Sequence, residues 1–144
     1  MKSAFLTSAM VLFVPYLHAQ ANSVDSRIQE VAGLDPIQAK AFFLEIKKAV
    51  AHSDRSALSK MIAFPSRVNL KSGKNKQIKN ISEFLQHFDE IFTPKVTQAV
   101  RNQRYEDLFV NYRGVMIGSG EIWFSAKKGP SGKFDQFRII KINN

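Results

Sequence analysis

The sequence predicts an α+β fold, with N-terminal helices packed on an antiparallel sheet. Two observations lead there. Between residues 35 and 103 most apolar side chains recur at helical spacing, interrupted by one short alternating segment. From residue 108 onward the pattern changes to β-rich runs separated by glycine. No internal repeat, low-complexity tract or second domain is visible, so the expected organisation is a single α+β domain over residues 35–144.

Residues 1–21 read as a secretory signal peptide. Lys2 supplies the positive start, Ala4 to Leu17 the apolar stretch, and Ala19-Gln20-Ala21 the small residues before cleavage. The apolar run is about 14 residues long and contains Pro15, whereas a spanning helix needs roughly 20. No transmembrane segment is expected after cleavage, and the destination is the periplasm or the outside of the cell. Removal of this segment takes Lys2 and no acid from the 21 basic and 12 acidic residues, which leaves a net charge of +8.

Residues 22–34 are polar and mixed, and are expected to form a flexible leader. Asp35-Pro36 then offers an N-cap acceptor followed by proline at the first helical position. Ala39, Phe42, Phe43, Ile46 and Val50 continue on one helical face. Ser53 is the expected cap of a second short helix carrying Leu58, Met61 and Ile62, and Phe64-Pro65 ends it. Arg67–Leu70 alternates as a strand does, Lys71–Lys76 is a loop by composition, and Gln77–Lys79 is its returning partner. Asn80 with Glu83 forms a capping-box pattern ahead of a helix whose expected buried face is Ile81, Phe84, Leu85, Phe88, Ile91 and Phe92. Thr93-Pro94 opens the next helix, with Val96, Ala99 and Val100 inside.

The strands of the second half are Leu108–Val110, Val115–Ile117, Ile122–Phe124 and Phe137–Ile142. Gly118-Ser119-Gly120 suits either a hairpin turn or a glycine bulge in one long strand. Lys127 to Lys133 reads as a loop.

Several kinds of chemistry lack their residues. The chain has no cysteine, which removes thiol nucleophiles, thiolate metal sites and disulfides, so packing alone must hold the domain; ten of the chain's 12 phenylalanines lie in the mature part and suit that task. His52 and His87, the only histidines of the mature part, fall in no metal-binding motif, so no metal and no cofactor are expected. Neither a nucleophile elbow nor a phosphate-binding glycine loop occurs. Aromatic residues are not interleaved with the lysines as a nucleic-acid platform requires.

The lysines divide into two groups, Lys71, Lys74, Lys76 and Lys79 in one and Lys127, Lys128 and Lys133 in the other. Both flank strands, a position from which they could converge on one edge of the sheet, though charge runs are usually just solvated faces. Glu121 shares a strand face with Trp123 and Ser125, opposite Ile122 and Phe124. With Ile122 and Phe124 under the helices, Glu121 and Trp123 form a surface platform; in the reverse register Glu121 is a buried base with Tyr112 and Arg113 for neighbours.

Two amphipathic helices, an early strand pair, a further helix and a curved sheet resemble the cystatin-like α+β cone of nuclear transport factor two-like proteins. The segment LFVNYRGVMIGSGEIWF, residues 108–124, is similar to one that recurs in small exported bacterial proteins. Gly114, Gly118, Gly120, Glu121 and Trp123 carry that likeness, which covers about residues 36–143. It implies N-terminal helices packed on a curved antiparallel sheet. It implies little about activity, because the cone hosts isomerases, dehydratases, transport factors and binding modules. The enzymes place an Asp, His or Tyr set inside the cone, and no such set is matched here residue by residue.

The reading favours a non-enzymatic exported binding module over an enzyme. Its basic surface, made of the two lysine groups with Glu121 and Trp123, would hold an anionic protein or envelope component, as an envelope inhibitor or immunity-type protein does. The alternative is a small-molecule enzyme or carrier that uses the cone interior.

Overall fold

A computed structural model describes residues 23–128 and 134–144. The expected signal peptide and Lys133 lie outside the described residues. Among the described residues no helix is long and apolar enough to cross a membrane.

The segment expected as a flexible leader holds helix α1, Val24–Glu30. Ser23 Oγ accepts the Ser26 N–H at 3.2 Å, and Val24 and Ile28 are buried. The Tyr105 hydroxyl donates to Asp25 Oδ1 at 2.6 Å and ties α1 to the second half of the chain. Two apolar contacts and a buried phenol partner outweigh the polar composition that suggested fraying.

Helix α2, Pro36–Ala51, starts as expected: Asp35 Oδ1 accepts the Gln38 N–H at 3.0 Å. Its buried face is Ala39, Phe42, Phe43, Ile46, Ala49 and Val50. Helix α3, Arg55–Met61, is capped by Asp54, not by Ser53; Asp54 Oδ1 accepts the Ala57 N–H at 2.9 Å. Ser53 has φ 52°, a left-handed turn position closing the α2–α3 connection, whereas a cap residue normally keeps an extended backbone.

Strands β1, Ser66–Asn69, and β2, Asn75–Ile78, form the expected antiparallel pair. Asn80 Oδ1 then accepts the Glu83 N–H at 2.9 Å, while Glu83 Oε2 reaches back to the Lys79 N–H at 2.8 Å. The capping box therefore closes one residue early. The single helix expected over 81–92 breaks at His87 into α4, Ile81–Gln86, and α5, Phe88–Ile91. The break changes which face is inside: Phe84, Phe88, Ile91 and Phe92 are buried, whereas Ile81 and Leu85 are exposed. Phe84 meets Phe88 edge-on at 5.7 Å, and Phe88 stacks on Phe92 at 5.3 Å. Helix α6, Pro94–Asn102, is capped by Thr93 and buries Val96 and Val100.

After a 3-10 turn at Tyr105–Asp107 come β3 (Phe109–Asn111), β4 (Gly114–Ile117), β5 (Ile122–Lys128) and β6 (Phe134–Ile142). The sheet order is β2-β1-β6-β5-β4-β3. The expected α+β architecture, helices on a curved sheet, is what forms. Every pairing between the described strands is antiparallel except β1 with β6, which run parallel through Val68 and Ile142; Ile62, ahead of β1, adds an isolated parallel bridge to Ile139. The glycine segment 118–120 lies in the turn of a hairpin, since Ile117 pairs with Ile122 across it. Register shifts between Trp123 and Phe124 and between Ala126 and Lys128 interrupt the β5–β6 ladder, and such bulges bend a sheet. Strand β5 continues through Lys127 and Lys128, where a loop was expected; residues 129–133 lie outside the described residues.

One face of the sheet is core. Val68, Val115, Ile117, Ile122, Phe124, Ile139 and Ile142 are fully buried there, with Phe42 against Phe124 at 5.6 Å and against Phe137 at 5.9 Å. The alternate residues of the same strands form a second face that reaches solvent.

Candidate binding surface

The strand registers place six side chains in one row across the solvent face. Phe109 pairs with Met116, Met116 with Trp123, and Trp123 with Lys141. Lys141 and Arg67 each precede one member of the parallel Val68–Ile142 pair, and Arg67 pairs with Gln77. Strands about 4.8 Å apart give this row a length of about 24 Å. Its two halves differ in chemistry. Over β3, β4 and β5 it is apolar: Phe109 is 49% exposed and meets Trp123 edge-on at 6.2 Å. Over β6, β1 and β2 it is cationic and amide-rich, and Arg67, Asn69, Asn75, Lys76, Gln77 and Lys141 line a groove of about 450 Å³.

Charge is segregated between the layers. Of the 12 acidic residues one, Asp135, lies in a strand, whereas Arg67, Lys76, Lys127, Lys128, Arg138 and Lys141 all do. Among the described residues Arg67 and Lys141 have no carboxylate within salt-bridge distance. Most of the acids that do pair are on or beside the helices, as in Arg55–Asp89 at 2.7 Å, whereas Glu121, in the β4–β5 turn, meets Lys95 of α6.

Among the described residues the backbones of the two lysine groups do not converge. Because β1 runs parallel to β6, the Lys71–Lys74 turn lies at the end of β6 near Ile142. Lys128 pairs with Phe134 at the other end. Lys71, Lys74 and Lys79 are exposed. Lys76 is turned toward α4, where its Nζ is 3.4 Å from Glu83 Oε1. The Lys79 N–H donated to the Glu83 carboxylate, aided by Lys76, holds that group below its ordinary value.

Glu121 and Trp123 take different positions. Trp123 belongs to the solvent face, since Ile122 and Phe124 are the buried pair. Glu121 precedes β5, in the turn. Its Oε2 accepts the Ser119 N–H at 2.6 Å, its Oε1 is 3.8 Å from Lys95 Nζ, and its side chain is 11% exposed. Its backbone carbonyl accepts the Asn143 N–H, and Asn143 Nδ2 donates to the Gly120 carbonyl at 2.6 Å. Gly118, at φ +69°, is needed here because a Cβ would strike the Glu121 carboxylate. Glu121 thus organises the turn that sets the register of β4 on β5. Tyr112 is 74% exposed at the β3–β4 tip, and Arg113 Nε donates to its hydroxyl at 3.1 Å.

His52 Nδ1 is 2.8 Å from the Lys48 carbonyl at the end of α2, and His87 Nδ1 is 2.9 Å from Glu90 Oε1. Among the described residues no three His, Cys, Asp or Glu side chains come together as a metal site. The buried polar side chains there are Ser59, Ser66 and Thr93, none of them an acid or base at neutral pH.

Sequence reasoning missed Arg67, Lys141, Phe109 and Met116 as members of one surface. The alternation in Ser66-Arg67-Val68-Asn69 marks Arg67 as outward. The pairing that brings it level with Lys141 joins distant parts of the chain. No family model matches the chain, and no curated protein or solved structure is significantly similar to it.

Proposed function

We propose that this chain is an exported, non-enzymatic binding module that holds an anionic partner in the cell envelope through the solvent face of its sheet. An inhibitor or immunity-type protein for an acidic target would work this way. The observation that carries the reading is the cationic half of that face: Arg67 and Lys141 lie level on neighbouring strands, and among the described residues neither has a carboxylate within salt-bridge distance. A face of that kind attracts anionic surfaces and repels cationic ones. Helices packed on a curved sheet also suit a nuclear transport factor two-like cone.

The test immobilises the mature chain beside an R67Q/K141Q variant and captures proteins from an envelope extract. The proposal expects an acidic protein on the first support, released as salt rises, and much less of it on the second. Equal capture on both supports contradicts it. Export is checked on the protein from its native cell, where the mature chain should begin at Asn22; intact Met1 in the cytoplasmic fraction contradicts that part.

A further inference from the structure

We infer that the apolar half of the transverse row, Phe109, Met116 and Trp123, is the anchor for an apolar side chain carried within an acidic segment of a protein partner. This rests on the binding-module reading and says which part of the partner each half of the face receives.

Three observations point to the anchor. First, Phe109 keeps about half its surface in solvent although it packs on Trp123, and Met116 and Trp123 are only partly covered. A contiguous apolar patch on an otherwise charged face marks a contact site more often than a scattered exposed residue does. Second, aromatic residues beside arginine are the side chains that dominate interface energetics, and the patch ends at Lys141 with Arg67 in the next strand. Third, the registers fix the spacing. Trp123 is the direct neighbour of Lys141, so an apolar residue seated on Phe109 and Trp123 puts flanking carboxylates within reach of Lys141 and Arg67. Charge complementarity selects an acidic occupant over a neutral or basic one. The apolar half selects a peptide segment over a bare anion, which would use the cationic half alone.

Trp123 is the single tryptophan of the chain and therefore reports on its own surface by its fluorescence. The probes are two end-capped synthetic peptides, one with a phenylalanine between runs of glutamate and one with serine in its place. The inference expects the phenylalanine peptide to bind about tenfold more tightly and to shift Trp123 emission to the blue. Phe109→Ser and, separately, Met116→Gln should erase that difference while leaving the serine peptide unaffected. R67Q/K141Q should weaken both peptides. Thermal unfolding of each variant guards against loss of fold, and two substitutions on different strands keep the test decisive if one fails.

Equal affinity for the two peptides, both weakened by R67Q/K141Q, overturns the anchor and leaves the basic-surface reading standing. Binding indifferent to R67Q/K141Q removes both. An emission shift that grows with protein concentration alone assigns the face to a second copy of this chain. A shift produced by vesicles of phosphatidylglycerol but by neither peptide assigns it to a membrane surface. Either of these results also overturns the inference.

Discussion

Trp123 and Lys141 stand opposite each other across β5 and β6 on the solvent face of the sheet. They are the seam between its apolar and its cationic half. Lys141 and Arg67 beside it are both exposed, so both can change without opening a cavity. R67Q/K141Q should therefore alter the unfolding free energy by less than about 0.5 kcal/mol, as surface substitutions usually do. Urea denaturation checks this, and a loss above about 1 kcal/mol would mean that the pair holds the sheet together.

The β4–β5 turn should depend on the Glu121 carboxylate. Glu121→Ala leaves the Ser119 N–H without its acceptor and should cost about 1–3 kcal/mol. Glu121→Gln keeps an oxygen that can accept and should cost less. Identical losses for the two variants would show that the Lys95 contact, not the turn, is what Glu121 supplies.

Phe84 is fully buried and lies 6.1 Å from the rings of Phe64 and Phe92 as well as 5.7 Å from Phe88. Phe84→Ala should cost about 3–5 kcal/mol in reversible denaturation. A change below about 1 kcal/mol would place the α4–α5 cluster outside the cooperative core.

Alkaline pH should weaken the tie between α1 and the rest of the domain. Burial first, and then the hydrogen bond to Asp25, push the Tyr105 hydroxyl above its ordinary value of 10.0. A raised pKa in the fold means that its contribution is complete below about pH 10 and is lost as pH rises toward the folded value. Tyr105→Phe should cost about 0.5–1.5 kcal/mol at neutral pH through the lost hydrogen bond to Asp25. Its unfolding midpoint should then fall less steeply above pH 10 than that of the parent chain. Parallel alkaline slopes for the two proteins would contradict this.

What was legible in the sequence is mostly local. Asp35-Pro36 and Thr93-Pro94 start helices because cap and proline act within one turn, and the face of α2 follows from spacing alone. Asn80 and Glu83 were legible too, though the backbone chose the Lys79 N–H as the second donor. Composition concealed α1, whose polar residues hide two buried contacts and the Asp25–Tyr105 bond. The break at His87 was not legible because its neighbours continue the helical period. The surface was the least legible part. Lysine-rich stretches drew attention to the Lys71–Lys74 turn and to Lys127 and Lys128, which the strand pairings send to opposite ends of β6. Arg67 and Lys141 each stand alone in sequence and become neighbours through that same pairing.

Binding of an acidic partner on the solvent face of the sheet is tested most directly by backbone amide chemical-shift mapping. The mature, isotope-labelled chain is titrated with the phenylalanine-containing glutamate peptide at low and at high salt. Shifts should concentrate at Phe109, Met116, Trp123, Lys141 and Arg67, and should fade at high salt as the Debye length drops to about 3 Å at 1 M. Shifts centred on the Lys71–Lys74 turn or on the helices, or shifts indifferent to salt, would contradict it.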